Sequence, residues 1–221
     1  MKPLDYLHLQ LTLEGIRRVS GNLIARAFPD MDDFPLVISA RTVDGESLIA
    51  YDELLPETTR CQLPAADLKA GKTDTAVTVL EDAGIRTSTS HFKTYIFPDS
   101  FRSAEVGAVK CYQRDDPKVI AFGFSGFSDQ VFGIEQDGII LSACVSSRQN
   151  ARSAEAWVFT HADHRKKGLA QQVVTAWAGS LQRAGLVPFY SHNAENTGSA
   201  QLAKRLNLIP VFEETVIEKS L

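Results

Sequence analysis

Residues 154–170 read Ala-Glu-Ala-Trp-Val-Phe-Thr-His-Ala-Asp-His-Arg-Lys-Lys-Gly-Leu-Ala, and the fold prediction begins from this stretch. Its first part, 154–160, is rich in aromatic and β-branched side chains, which predicts a strand. Apolar residues at helical spacing over 169–183 predict an amphipathic helix that ends at Gly185. The expected local structure is therefore a strand that enters a helix through a basic, glycine-containing loop.

This loop has the features of a phosphate-binding site. The first N–H groups of a helix lack partners within the helix, and together with the helix dipole they favour an anion. Gly168 would let the backbone approach a phosphate without an intervening Cβ. Arg165, Lys166 and Lys167 add positive charge at the same place. A solvated basic turn at the start of a helix is the alternative interpretation of this composition.

Other elements are predicted along the chain from turn signals and hydrophobic periodicity. Helical spacing of apolar residues over 1–30 predicts one N-terminal helix that ends at Phe28-Pro29. Asp137-Gly138 between two apolar runs predicts a β-hairpin. The remaining predicted elements are strands at 36–38, 48–51, 91–97, 187–190 and 209–217 and helices at 64–70, 73–83 and 199–206. The expected organisation is an N-terminal α/β region over 1–98 that packs on a core over 99–221.

Composition excludes several classes of function. The chain has 221 residues and a net charge of -4, and its isoelectric point of about 5.7 argues against broad binding to nucleic acid. No apolar run approaches the roughly 18–20 residues of a membrane helix. The N-terminus lacks the apolar core of a signal peptide. We therefore expect a cytoplasmic protein with no nucleic-acid or membrane partner, present as a monomer or a homodimer.

The cysteines and histidines do not predict a metal site. The three cysteines are far apart, without metal-ligand spacing, and are expected to be reduced, buried and unreactive. The three histidines near the loop also lack zinc-ligand spacing, so no metal is expected. These residues are Cys61, Cys111, Cys144, His161, His164 and His192.

The pattern Arg165-x-x-Gly168-x-Ala170 resembles the Arg/Gln-x-x-Gly-x-Gly/Ala motif of the GCN5-related N-acetyltransferase (GNAT) superfamily, which binds the pyrophosphate of acetyl-CoA there. The resemblance extends over about residues 118–217, and the sequence of this region is similar to that of a bacterial GNAT-type acetyltransferase. It implies an α/β GNAT (acyl-CoA N-acyltransferase) fold, a mixed central sheet with splayed strands flanked by helices. In that fold residues 99–221 would be the acetyl-CoA-binding catalytic core, and residues 1–98 would lie at its substrate side. The resemblance also implies direct transfer of an acetyl group from acetyl-CoA to a small-molecule or peptide amine.

The resemblance further implies roles for individual residues. Glu155 stands at the glutamate position of the family and is the predicted general base. Tyr190, at the end of the next strand, is the remaining candidate for the general acid, with a core tyrosine as the alternative. The implied acetyl-CoA contacts are Trp157, Val158, Phe159, Thr160, Arg165, Lys166, Lys167, Gly168, Leu169, Ala170, Asn196 and Ser199.

The alternation of side chains supports a base at this position. In an unbulged strand, Glu155, Trp157 and Phe159 share one side. A carboxylate between bulky aromatic rings would be partly shielded from water, which suits a base. A solvent-facing glutamate is the alternative. Asn196 likewise has a second interpretation, as the cap of the following helix.

The sequence departs from the family pattern at two places, and the second of them supports an alternative function. Asn207-Leu208 replaces the usual Gly-Phe, although asparagine tolerates the left-handed conformation that glycine would supply. No tyrosine lies between Asn196 and Leu206, where the family has its general acid. A catalytically inactive, acyl-CoA-binding regulatory module is therefore the alternative. A nucleotide-binding module is not supported, because the GxGxxG and Walker A patterns are absent.

Overall fold

The computed structural model describes residues 1–27, 34–104 and 106–220. These residues form two compact units. The first unit contains Met1–Thr94, Asn193–Glu195 and Pro210–Leu221, and the second contains Tyr95–His192 and Asn196–Ile209. The expected division lay after residue 98, with everything beyond it in one core, whereas the end of the chain here belongs to the first unit.

The elements follow one another in a mixed order of strands and helices. In chain order they are α1 (Pro3–Leu13), β1 (Ile16–Arg18), β2 (Leu23–Arg26), β3 (Pro35–Thr42), β4 (Ser47–Asp52), α2 (Glu57–Arg60), α3 (Ala65–Lys69), α4 (Asp74–Asp82), β5 (Thr87–Ile96), β6 (Lys110–Gln113), α5 (Pro117–Phe122), β7 (Gln130–Gln136), β8 (Ile139–Gln149), β9 (Ser153–Thr160), α6 (Leu169–Arg183), β10 (Val187–Asn193), α7 (Thr197–Arg205) and β11 (Ile209–Lys219). Two 3₁₀ helices lie at Asp99–Ser103 and Ala162–His164.

The first unit is built on strands in the order β1-β2-β4-β3-β11-β5. The β2–β4 pair is parallel, and the β1–β2, β3–β4 and β3–β11 pairs are antiparallel. Helices α3 and α4 bury Leu68 and Leu80 against Val37, Ile49 and Ile217 of the strands. This apolar layer is one part of the core of the unit.

The predicted N-terminal helix is wrong beyond Leu13. Helix α1 ends there, and Gly15 has a left-handed φ of 75°, which a helix interior does not allow. The apolar residues that follow are used instead by the antiparallel strands β1 and β2. The predicted end of the helix at Phe28-Pro29 lies outside the described residues.

The second unit contains strands in the order β10-β9-β8-β7-β6, a mixed sheet in which only the β10–β9 pair is parallel. One face packs on α6, where Trp177 and Val173 contact Cys144 and Ala156. The opposite face is covered by α5 and the chain after it, which bury Val119 against the alternate residues of β8. The site described below lies on this unit.

Three local predictions concern turns and thiols. Asp137 and Gly138 are both left-handed, as the predicted hairpin requires, and β7 and β8 pair across them. Asn207 also has a positive φ, of 50°.

The prediction of three buried cysteines is correct for Cys144 and wrong for Cys61 and Cys111, which are exposed. Cys61 follows the short helix α2 and Cys111 lies on β6, the last strand of the unit, so neither position has a covering layer.

Among the described residues, no helix has both the length and the apolar character needed to cross a membrane.

We predict that Gly179→Ala destabilises the second unit. Gly179 lies in α6, and an added Cβ would stand 2.5 Å from the backbone carbonyl oxygen of Phe101. Relief of this overlap requires the helix to move, at a cost of about 1–3 kcal/mol in the free energy of unfolding. Urea denaturation measures the change.

Gly198→Ala in α7 is the matched control, because its added Cβ would make only an ordinary contact, 3.5 Å from Asn196 Oδ1. There the loss of glycine flexibility should stabilise the protein by roughly 0.5–1 kcal/mol. Equal effects of the two substitutions would contradict the predicted overlap.

Candidate functional site

Strands β9 and β10 run parallel but pair only where they begin. The paired residues are Val187 with Ser153, Pro188 with Ala154 and Phe189 with Glu155. Past these pairs, no further pairing joins the two strands in the part of the chain that the structure describes. Strand β9 nevertheless stays paired with β8 as far as Thr160. The predicted splaying of these strands is confirmed, and it leaves one edge of β9 without a neighbouring strand.

The loop after β9 leads this open edge to the start of α6. Lys166 and Gly168 are both left-handed, with φ values of 62° and 78°. Helix α6 begins at Leu169 without a side-chain cap. Within the described ranges, no acceptor bonds the backbone N–H groups of residues 166–171. These donors lie at the positive end of the longest helix of the unit, where an anion is favoured.

The cations of the loop are exposed. Arg165 Nε donates to the carbonyl oxygen of Thr160 at 3.1 Å, and its guanidinium lies 5.9 Å from the centroid of the Phe159 ring. Lys166 and Lys167 make no ion pair among the described residues. The loop therefore combines open backbone donors with uncompensated positive charge, and an acyl-CoA pyrophosphate fits both features.

Glu155 is buried, with 7% of its surface exposed. Its Oε2 accepts a hydrogen bond from Arg148 Nη1 at 2.8 Å, in an ion pair whose arginine is half exposed. A β-bulge in β8 creates this contact: the register moves from Ser146 opposite Ala156 to Arg148 opposite Glu155, and Ser147 is the extra residue. Sequence reasoning missed Arg148, because a bulge without glycine leaves no local signal.

The predicted alternation of side chains along β9 is confirmed, because the bulge lies in the neighbouring strand β8. Trp157 and Phe159 follow Glu155 on the same side and are 51% and 40% exposed. Val158 and Thr160 are partly buried on the opposite side, where the Thr160 hydroxyl lies 2.8 Å from that of Ser142. The carboxylate is thus bordered by open aromatic rings along the strand and by a guanidinium across it.

Tyr190 lies in the core of the second unit and is 2% exposed. Burial raises the pKa of its phenol to about 12, against a smaller lowering from a hydrogen bond with Ser199. The structure therefore brings Tyr190 and Ser199 together. Asn196 acts as the cap of α7, since its Oδ1 accepts from the Ser199 N–H at 3.0 Å. The capping interpretation of Asn196 is correct, and its amide nitrogen can still serve a ligand.

No cluster of three or more histidine, cysteine or acidic side chains among the described residues is arranged to hold a metal ion.

Comparisons with known proteins show similarity to acetyltransferases in both sequence and fold. The GNAT acetyltransferase family model matches residues 123–215. A protein from Novosphingobium aromaticivorans DSM 12444 assigned to the GNAT family of acetyltransferases is similar over 100% of both chains, with 17% identity and a TM-score of 0.53. A GNAT-family acetyltransferase from Colwellia psychrerythraea is similar over 100% of this chain and 98% of its own, with 11% identity and a TM-score of 0.51. At these identities the likeness shows a shared fold, the acyl-CoA N-acyltransferase fold. No curated protein matches the chain.

The raised pKa of Tyr190 predicts a specific dependence of stability on pH. The folded protein keeps the phenolic proton to about pH 12, while the unfolded chain releases it near 10. The contribution of this group to stability is therefore complete below about pH 10 and is lost as the pH rises toward 12. As the pH rises from about 9 to about 11.5, the free energy of unfolding should fall in the parent protein. In Tyr190→Phe it should fall by roughly 1–2 kcal/mol less. Urea titrations at both pH values measure this, and parallel losses would contradict a buried, high-pKa phenol.

Proposed function

Because the chain carries a domain of the GNAT acetyltransferase family over residues 123–215, we propose that it transfers an acetyl group from acetyl-CoA directly to an amine. The observation that carries this proposal is the early separation of β9 from β10 beside a loop with open N–H donors. An extended acyl-CoA arm needs an unpaired strand edge, and its pyrophosphate needs an anion site at the end of that edge. Both lie on consecutive residues of this chain.

We assign the acetyl-CoA contacts along this path. The N–H groups of Gly168, Leu169 and Ala170 would bind the pyrophosphate, with Arg165, Lys166 and Lys167 supplying charge. The backbone of residues 157–160 would pair with the pantetheine arm as a strand would. Asn196 and Ser199, at the start of α7, would contact the same arm from the other wall. One strand N–H would then point at the thioester oxygen and stabilise the oxyanion.

Glu155 is the proposed general base. The amine nitrogen attacks the thioester carbonyl, a C–N bond forms, the C–S bond breaks, and the nitrogen loses a proton. We assign that proton to the Glu155 carboxylate. Arg148 bonds Oε2, and since each carboxylate oxygen carries two lone pairs, the bound group can still accept a further donor. The role of Arg148 is then to fix the direction of the carboxylate.

The departing thiolate carries developing negative charge, and Tyr190 is the proposed hydrogen-bond donor to its sulfur. With a pKa of about 12, its phenol is protonated at neutral pH and so can donate a hydrogen bond. Complete transfer to a thiolate is uphill, because an ordinary thiol has a pKa of about 8.5. Tyr190 therefore contributes stabilisation of the developing sulfur charge, and solvent completes the protonation.

An acyl-CoA-binding module without catalysis is the second candidate. Two observations favour it: Glu155 already has a guanidinium partner, and α7 has no tyrosine. The two candidates differ in one measurement. An acetyltransferase releases free CoA continuously when a panel of amines is supplied with acetyl-CoA, whereas a binding module holds acetyl-CoA without turnover.

Gly168→Glu tests the loop. The added carboxylate would repel the pyrophosphate and occupy its place, so acetyl-CoA affinity should fall at least about tenfold, equivalent to about 1.4 kcal/mol. Isothermal titration calorimetry measures the affinity. Gly185→Glu is a matched control at the other end of α6, because Gly185 has a similar left-handed φ of 80° and the same backbone strain. Equal affinities in the two variants would remove the loop from the site.

Glu155→Gln tests the base. The amide keeps the shape of the side chain but cannot accept the proton, so the turnover rate should fall about 10²–10⁴-fold. Acetyl-CoA affinity should persist, because the proposed cofactor contacts use the backbone of β9. A higher pH should partly restore the rate, since more of the amine is then neutral. Glu213→Gln, at an exposed carboxylate paired with Lys93, is the control and should leave the rate unchanged.

A different outcome would assign another role to Glu155. If it only positions a cationic acceptor, the variant will show a raised acceptor KM with kcat nearly unchanged. The base would then lie elsewhere or be solvent.

A further inference from the structure

Aromatic side chains form an open surface beside Glu155. The Phe127 and Trp157 rings are 6.0 Å apart between centroids and nearly parallel, at 23°. Phe122 lies 5.8 Å from Phe159 and 5.1 Å from His161. Phe124 joins the two groups through contacts with both Phe122 and Phe127. We call Phe122, Phe127, Trp157, Phe159 and His161 the aromatic patch.

Two rings of this patch are largely exposed, in contrast to the tryptophan in the core of the same unit. Trp157 is 51% exposed and Phe159 is 40% exposed, whereas Trp177, the second of the two tryptophans, is 1% exposed. Exposed aromatic surface costs free energy in water, and contiguous exposed apolar surface commonly marks a ligand or partner site. A ligand that covers these rings would remove this apolar surface from water, and that burial would favour binding.

The patch starts at the proposed base. Trp157 follows Glu155 on the same side of β9, one strand repeat of about 7 Å further along. Phe159 is the next residue on that side and lies under the Arg165 guanidinium at the phosphate loop. The patch therefore extends from the carboxylate toward the loop, alongside the unpaired edge of the strand. A molecule whose amine reaches Glu155 has its neighbouring atoms against Trp157.

Two of the charged groups around the patch have carboxylate partners, and a third, Arg165, bonds the carbonyl oxygen of Thr160. Lys118, next to Phe122 in α5, bonds the Glu135 carboxylate at 2.7 Å, and Arg148 bonds Glu155. The rings themselves meet in stacked and edge-to-face pairs, the two arrangements that aromatic groups prefer. A planar ring can extend this set of contacts, whereas a polar or highly charged body would lose hydration without a partner.

We propose that the acceptor is a primary amine that carries an aromatic ring on a short alkyl chain, with the ring on Trp157 and Phe127 and the nitrogen at Glu155. This inference rests on the proposed function. Two other occupants of the patch belong to the donor, namely the adenine ring and a long acyl chain, and both give different results in the test below.

The test compares 2-phenylethylamine with ethylamine, which share a primary amine and differ by the ring. The protein is first saturated with CoA, and calorimetry measures the dissociation constant of each amine. We expect 2-phenylethylamine to bind at least about tenfold more tightly. Its binding should also change the tryptophan fluorescence, because Trp157 is exposed and Trp177 is buried.

Substitution at Trp157 identifies the contact. Trp157→Ala should weaken 2-phenylethylamine about tenfold while ethylamine changes little, and Trp157→Phe should restore most of the difference. Leu54→Ala is the control for removal of an exposed apolar side chain, since Leu54 is 72% exposed in the first unit, and it should leave both amines unaffected.

Equal affinity of the two amines, or an unchanged preference in Trp157→Ala, overturns the inference. A loss of acetyl-CoA affinity in Trp157→Ala, or of preference for longer acyl donors, also overturns it and assigns the patch to the donor. Turnover separates this inference from the proposed function. Transfer of acetyl groups to both amines with equal kcat/KM contradicts the inference alone. Selective binding of the aromatic amine without any transfer contradicts the proposed function alone.

Discussion

The candidate site of the second unit depends on one constraint, the short parallel pairing between strands β9 and β10. Three residue pairs hold the strands together at their start, and the parallel pairing then stops. A backbone edge that loses its neighbour must bond water or a ligand, because an unpaired polar group costs free energy when it is buried. On the other side, β9 stays fully paired with β8 and packed under α6, so the open edge is held rigid. The open edge is therefore a feature of an otherwise tightly packed sheet and not of a loose strand end.

The bulge in β8 is the second constraint, and it acts on the same strand. By inserting Ser147 opposite the Glu155–Ala156 step, it brings Arg148 to the carboxylate. Trp177 donates to the hydroxyl of Ser146 at 3.0 Å, so α6 holds the residue at which the bulge begins. The helix that carries the proposed phosphate-binding end thus also fixes the part of the sheet next to the proposed base. Changes in the core of α6 would reach the carboxylate through this contact.

Local signals predicted most of the second unit correctly. The Asp137-Gly138 hairpin, the strand at 154–160 and the helix at 169–183 are determined by residues close together in sequence, and the structure has all three. The N-terminal helix was wrong because helical spacing over a few residues also fits two short strands, and only pairing decides between them. The Arg148–Glu155 pair and the burial of Tyr190 depend on register and packing between distant segments. Single-sequence patterns do not contain that information.

Several locally unfavourable features lie within one short stretch of chain. Lys166 adopts a left-handed backbone, which costs a residue with a Cβ roughly 1–2 kcal/mol. Two positive lysines and an arginine lie close together although the chain as a whole is acidic. Trp157 and Phe159 remain about half exposed, and the first turn of α6 has no side-chain cap. None of these features stabilises the folded chain by itself, and each would be relieved by a ligand that is anionic at one end and apolar along its length. Since the surrounding sheet and helix are well packed, the fold tolerates this concentration of strain, charge and exposed surface only where binding can compensate it.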